Sequence, residues 1–451
     1  MSDLRTVWFP CRMRVWAGLV AVCALLVGVT PASAEPRVFG GSVAVGNPIV
    51  VGTAYLSGNL FRICSASVWK PRVLLTAAHC VTEENTGAVI DPARLQLNTP
   101  GAPYQLVGGS LAARSPARVV QIITPPGFVQ VGRQVVANDI AALVLDSDIG
   151  PTAISRLASR AEIGLWTSQN AAVFAAGYGR TSLTGGGGDV PAQVSLPLAG
   201  IDEDYRGSTG WVINSRTAGV GDICSGDSGG PRWASSATGN LLAGVIAGGS
   251  CGTSAVGAAS FVPITYLSIM NPALAATGNP LVPSGPTDVK SVVVGNTRTT
   301  WWTAPEIAPE FATSYQVVGI DGAMVCNAAD LVCTAPVASI PGEAAVRSLN
   351  AQGEGDSSLV PAFTVLTPAA PRVKARSGAV QIGVTPVDYP RVSAYSVRTT
   401  GGKEVCRIAS DAVPLRCTVD VRSGKHRYRV LAITPEGRSA VSDWSRTVRV
   451  K

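Results

Sequence analysis

The chain has 451 residues, 46% of them hydrophobic and only 14% charged, with 49 Gly and 31 Pro. That length is a prior for about three domains. The composition fits many short strands joined by turns and fits a helix-rich architecture poorly. The formal charge of +7 is uneven, since residues 35–283 balance at zero, 284–368 carry −5 and 369–451 carry +10. No nucleic-acid partner is expected from this sequence.

Residues 1–34 read as a secretory signal peptide. Arg5, Arg12 and Arg14 lead into an uncharged stretch over 15–29, and Ala32-Ser33-Ala34 supplies an A-x-A cleavage site. The apolar run is shorter than the ~20 residues a span needs, so after signal removal the chain is not expected to cross a membrane. Cys11 and Cys23 leave with the signal, and the remaining eight of ten cysteines imply up to four disulfides in an exported chain. Their spacings fit no zinc pattern, so no metal site is expected.

Beyond the signal, short strands are expected over 49–56, 64–68 and 73–78, with imperfect alternation of the kind that barrel strands with bulges show. Thr76-Ala77-Ala78-His79-Cys80 carries one of only two histidines. Asn138-Asp139 then places an acid before the apolar run 140–143. A further strand covers 171–179, and Gly185 to Gly188 form a loop-making glycine run. Residues 221–231 read G-D-I-C-S-G-D-S-G-G-P. A Ser held between glycines in this way exposes its hydroxyl and leaves neighbouring backbone N–H groups free, as a nucleophile attacking a carbonyl requires. The other histidine, His426, sits among cations with no acid or Ser motif beside it and reads as a surface residue.

Residues 271–286 are rich in Pro, Ala and Gly and read as a linker. Two similar units follow, 287–368 and 369–451. Each has an alternating strand (314–318, 394–398), a later strand (345–351, 428–433) and a cysteine pair between them, Cys326 with Cys333 and Cys406 with Cys417, paired by proximity.

The His79, Asp139 and Ser228 segments, in that chain order, resemble the signature blocks of the trypsin/chymotrypsin family of serine endopeptidases over about residues 38–270. The resemblance implies an all-β fold of two antiparallel six-stranded barrels with the site between them. Ser228 would be the nucleophile, His79 the general base and Asp139 its orienting acid, with the N–H groups of Gly226 and Ser228 forming the oxyanion hole. It pairs Cys64 with Cys80 and Cys224 with Cys251. It also makes 35–37 a short activation peptide. Cutting after Arg37 would free Val38 as a new N-terminus to pair with Asp227. Asp222, six positions before Ser228, would floor the primary specificity pocket, with Gly248 and Gly257 as its small wall residues. Substrates would then carry Arg or Lys before the cut bond, and no metal or organic cofactor is called for.

Two departures stand out: Tyr178 replaces a Trp, and Ile246-Ala247-Gly248 stands where the family has Ser-Trp-Gly. Arg in excess of Lys, together with the Ala and Gly content, hints at a GC-rich bacterial genome. The two C-terminal units look like fibronectin type III modules, which are β-sandwiches. The +10 of residues 369–451 suggests attachment to an anionic surface such as a cell-wall polymer, against the plainer reading of a solvated face. The sequence therefore reads as a secreted, zymogen-derived, trypsin-like endopeptidase. The competing reading is a secreted binding or adhesion protein on an inert protease-like scaffold, and the complete His, Asp and Ser set argues for the enzyme.

Overall fold

The computed structural model describes residues 38, 40–84, 86–108, 110–131, 134–181, 189–216, 221–253, 256–319, 322–339 and 343–451. The signal peptide, Arg37 and the glycine run 185–188 lie outside the described residues. Among those described, no helix is long and apolar enough to cross a membrane.

β1 (Val50–Ser57), β2 (Leu60–Lys70), β3 (Val73–Thr76), β4 (Gln96–Leu97), β5 (Val119–Ile123) and β6 (Ala141–Leu145) form one antiparallel sheet in the order β4-β1-β2-β3-β6-β5. Its central strands are short apolar runs because both of their faces are covered. Every residue of Val73–Thr76 and of Ala141–Leu145 is buried. Side-chain alternation then divides the sheet between two clusters. Val50, Leu75, Ala142 and Val144 feed one, while Val51, Leu74, Ala141, Leu143 and Leu145 feed the other. The end strands β4 and β5 share no ladder among the described residues, so the expected first barrel is a half-barrel. β4 is only two residues long, and an isolated bridge between Asn98 and Arg114 takes the place of a longer pairing.

β7 (Ala172–Gly177), β8 (Ala192–Asp202), β9 (Val212–Arg216), β10 (Pro231–Ser236), β11 (Gly239–Gly248) and β12 (Val256–Phe261) run in the order β8-β7-β10-β11-β12-β9. β9 pairs back onto β8, which closes this second barrel. Helix α1 (Arg160–Ser168) precedes it and α2 (Leu267–Ala276) follows it. The stretch that composition reads as a linker is in part packed structure: α2 buries Leu267, Ile269, Met270, Asn271, Ala273 and Leu274, and Val282 is fully buried. Asn271 is the reason, because its amide donates to Val282 O at 3.1 Å and accepts from Val282 N–H at 2.9 Å, folding the segment back on the helix.

The next unit consists of two four-stranded sheets. One orders Val332–Pro336, Thr297–Thr303, Thr287–Val294 and Thr364–Val365; the other orders Met324–Ala328, Ser314–Gly319, Ala344–Leu349 and Ser357–Val360. Trp302 and Ala335 from the first share a buried cluster with Tyr315, Val317 and Val346 from the second. The last unit has three sheets: Arg372–Arg376, Ala379–Gly383 and Arg416–Asp420; Glu404–Ala409, Ala394–Thr399, Tyr428–Thr434 and Gly437–Arg438; and Gly424–His426 with Val448–Val450. In each unit the disulfide (Cys326–Cys333, Cys406–Cys417) joins strands of different sheets.

The first unit is bound to the barrels by buried charge. Glu354, 1% exposed, accepts from Lys70 Nζ at 2.7 Å and from Trp69 Nε1 at 3.2 Å. The neighbouring Asp356 takes Arg160 N–H at 2.9 Å and pairs with its guanidinium at 2.8 Å, and Ser357 Oγ takes Ala161 N–H at 2.9 Å. Two otherwise unpaired donors of the first turn of α1 are thus capped from another unit. Removing one member of a buried pair strands the other, at a cost of about 3–5 kcal/mol. Glu354→Ala should therefore lower unfolding stability by that order in chemical denaturation, and adding Lys70→Met should restore a large part of it.

Candidate active site

His79 lies on a single 3-10 turn, Ala78–Val81, directly after β3, and Asp139 lies two residues before β6. β3 and β6 are antiparallel partners with Ala141 opposite Thr76, so their register carries the two residues to the same end of the sheet. Asp139 is fully buried. One carboxylate oxygen takes the His79 backbone N–H at 2.8 Å and the other takes Nδ1 at 2.7 Å. Donation from Nδ1 leaves Nε2 as the acceptor, the tautomer a general base requires. Burial of the ring disfavours its charged form, but the charge of Asp139 and the hydrogen bond to it outweigh that effect, so the His79 pKa lies above the usual 6.5.

The residue before the acid does positioning work that the sequence reading did not assign to it. Asn138 adopts a left-handed φ of 52°, a conformation Asn tolerates better than most residues. Its amide donates to Gly127 O at 2.7 Å and accepts from Thr209 N–H at 2.8 Å and Tyr266 OH at 2.9 Å. Its own N–H goes to Ser208 Oγ at 3.1 Å. Asp139 is therefore presented from a fixed backbone.

Ser228 is half-buried in a loop that is fastened to the sheet carrying His79. Ser65 N–H donates to Ser228 O at 2.8 Å and Ser65 Oγ to Gly226 O at 2.8 Å, while Ser67 Oγ reaches Gly229 O at 3.2 Å. Gly229, with φ 85°, passes so close to Ser65 O and Thr76 Oγ1 that a side chain there would collide with both. The Cys64–Cys80 disulfide ties the strand of Ser65 to the turn of His79. The N–H groups of Gly226 and Ser228 donate to no acceptor among the described residues, and no hydrogen bond there joins Ser228 Oγ to His79 Nε2. Such bonds commonly tighten only when substrate binds.

Asp222 is fully buried beneath the segment closed by the Cys224–Cys251 disulfide. Its carboxylate accepts from Ile223 N–H at 2.7 Å, from Gly252 N–H at 2.6 Å and from the Ser250 hydroxyl. Gly248 borders open space, with no atom within 4 Å of where a side chain would begin, and Gly257 lies near the start of β12. Ile246 turns into a buried cluster with Val38 and Ile223, so along the alternating strand Ala247, rather than Ile246, is the residue on the opposite face. No hydroxyl from this strand reaches Asp139 among the described residues.

Asp227 is also fully buried. Its two oxygens accept from Gly179 N–H at 2.7 Å and Cys224 N–H at 2.9 Å, and burial pushes its pKa up to about 7. Val38 is 1% exposed and Arg37 lies outside the described residues. One group of potential metal ligands occurs among the described residues, Cys64, Cys80 and His79, but the two sulfurs are joined in the disulfide and offer no thiolate.

A half-buried histidine held by a fully buried carboxylate, beside a serine loop with free backbone donors, is the arrangement of a serine peptidase. The trypsin family profile matches residues 38–269, and the chain belongs to that family. It is 28% identical over 257 residues to Trypsin CFT-1 of Choristoneura fumiferana, covering 53% of this chain and 91% of that one. Against Trypsin alpha-4 of Lucilia cuprina the identity is 30% over 196 residues, covering 41% and 67%. Against human chymotrypsin-like elastase family member 3B it is 28% over 238 residues, covering 49% and 81%.

With only two histidines in the chain, His79 can be followed individually by NMR. Its titration midpoint should lie above 6.5 in the native sequence. In Asp139→Asn, where burial acts without the opposing charge, the midpoint should fall below the native one.

Proposed function

We propose that this chain is a secreted serine endopeptidase, made as a zymogen, that hydrolyses peptide bonds after Arg or Lys. The observation carrying this reading is the His79–Asp139 pair at 2.7 Å, set beside a serine loop whose Gly226 and Ser228 N–H groups meet no acceptor among the described residues. Ser228 attacks the substrate carbonyl as His79 Nε2 takes its proton, and His79 then returns that proton to the leaving amine. Asp139 holds the tautomer and stabilises the imidazolium. The two free N–H groups receive the negative oxygen of the tetrahedral intermediate, a contribution on the order of a hundredfold or more per donor. Water repeats the sequence on the acyl-enzyme. Ser228→Ala should abolish both peptide hydrolysis and labelling by a serine-directed phosphonate. Failure of the processed native protein to label at Ser228 would overturn the reading.

Specificity follows from Asp222. On this reading it lies at the base of the substrate cleft, where a fully buried carboxylate favours a substrate cation; its three hydrogen-bond donors are neutral and do not cancel its charge. Asp222→Ser should lose activity on Arg and Lys substrates by several orders of magnitude, read as kcat/KM on matched peptides. Strong cleavage after Phe or Ala by the native enzyme, with Arg ignored, would remove Asp222 from the pocket.

Activation rests on Asp227. No ion pair serves its buried carboxyl among the described residues, and Val38 shares a buried cluster with Ile223, close by in sequence. Cutting after Arg37 gives Val38 an ammonium that can neutralise this acid. In the uncut chain the folded state keeps the proton up to about pH 7 while the unfolded state releases it near 3.8, so this group lowers stability as pH rises between those values. Processing should remove that decline. Arg37→Gln should remain latent and keep the decline on unfolding at a series of pH values, and full activity without processing would end the zymogen proposal. The two C-terminal units are read as fibronectin type III modules, with the +10 of the last directed to an anionic surface such as a cell-wall polymer.

A further inference from the structure

Arg232 leaves the serine loop on β10 and points into the closed barrel. It is fully buried, and none of its three guanidinium nitrogens has a hydrogen-bond partner among the described residues, nor does any acid there form an ion pair with it. Two further side chains of this barrel share that condition: Ser215 Oγ on β9 and Ser260 Oγ on β12 are fully buried with no partner.

The strand register puts all three on one face. Arg232 is opposite Gly244, and Ser260 is opposite both Ile246 and Ile213. Gly244 and Ile246 are two apart on β11, as are Ile213 and Ser215 on β9, so alternation directs the whole set inward. A β-carbon on Gly244 would lie 3.0 Å from Ser260 Cβ and 3.3 Å from Arg232 Cβ. A side chain there would crowd both, so the glycine lets the residue of the cation and the residue of the hydroxyl lie close together.

A guanidinium has donors only, and burial lowers the Arg232 pKa to about 9, which leaves it charged at neutral pH. Water could accept from its N–H groups but would leave the charge uncompensated, and an unpaired buried ion costs several kcal/mol. An anion meets both requirements. The closed wall of strands restricts it to a small one, and guanidinium and hydroxyl donors suit a halide. We propose that the interior of the second barrel binds one small monovalent anion of halide size, held by Arg232 with Ser215 and Ser260. This site is distinct from the catalytic reading. It supports the serine loop through β11, where Ile246 N–H donates to Gly230 O at 2.9 Å and Ile246 O accepts from Gly229 N–H at 2.6 Å.

The test is thermal unfolding of the full chain at constant ionic strength, with sodium gluconate, whose anion is too large for the site, replaced stepwise by chloride or bromide. The melting temperature should rise saturably, by about 2 °C or more. The rise should vanish in Arg232→Met and weaken in the Ser215→Ala/Ser260→Ala variant. Crystals soaked in bromide should give an anomalous peak at the guanidinium. Equal melting temperatures in all salts, an undiminished halide response in Arg232→Met, or ordered water in place of a bromide peak would each overturn the proposal. Should Arg232→Met fail to fold, the serine variant and the bromide peak decide it.

Discussion

The serine loop is held against the first barrel by one short seam, Ser65–Ser67 of β2. Ser65 has every polar group engaged, its N–H and Oγ across the seam and its carbonyl within its own sheet. Its N–H and Oγ donate to the carbonyls of Ser228 and Gly226, its Oγ accepts Tyr178 N–H at 3.0 Å, and its carbonyl takes Thr76 Oγ1 at 2.8 Å. The serine loop belongs in sequence to the second barrel, yet its backbone is held by a strand of the first. Any shift of one barrel against the other must break several buried hydrogen bonds together, each with a desolvation cost of about 1–3 kcal/mol if left unmade. The distance between His79 and the loop is thereby fixed by backbone rather than by two flexible side chains.

Within that frame, burial of charge follows function. Asp139, Asp222, Asp227, Arg232, Glu354 and Asp356 are all at most 1% exposed, and each is answered differently. Asp139 has its histidine and Glu354 and Asp356 have cations, so those charges are neutralised inside the fold. Asp222 and Asp227 have backbone and hydroxyl donors and, among the described residues, no cation. Arg232 has no donor or acceptor to answer it at all among the described residues, which sets it apart from structural arginines such as Arg156, bonded at 2.6 Å and 2.8 Å to Glu162.

Much of the site was legible because its code is local. The run from Asp222 to Gly230 is ungapped, so the family resemblance singles out Asp227 and Asp222 by counting back from Ser228, and both are buried acids. The apolar runs of β3 and β6 likewise announce strands covered on both faces. What sequence alone left hidden is non-local. Ser65 looks like one of many serines in a strand, and only its partner 163 residues away, Ser228, gives it a role. Asn138 carried a usable signal, since Asn beside an acid at a strand start is suited to a left-handed turn, but its four partners come from three distant segments. The packing of 271–286 was obscured because composition reports Pro, Ala and Gly while the fold there is set by a single asparagine side chain.

The same distinction alters how the C-terminal region should be understood. Gly353-Glu354-Gly355 has glycines on either side of an acid. Here the small neighbours let the turn approach closely: a side chain on Gly355 would strike Ser348 O. That approach brings Glu354 onto Trp69 and Lys70 at the end of β2, the strand whose earlier residues Ser65 and Ser67 hold the serine loop. The acidic balance of the first unit is thus partly explained by two carboxylates, Glu354 and Asp356, that are spent on cations of the barrels and not on solvent. The first unit therefore buttresses, through Glu354, the strand whose earlier residues hold the serine loop.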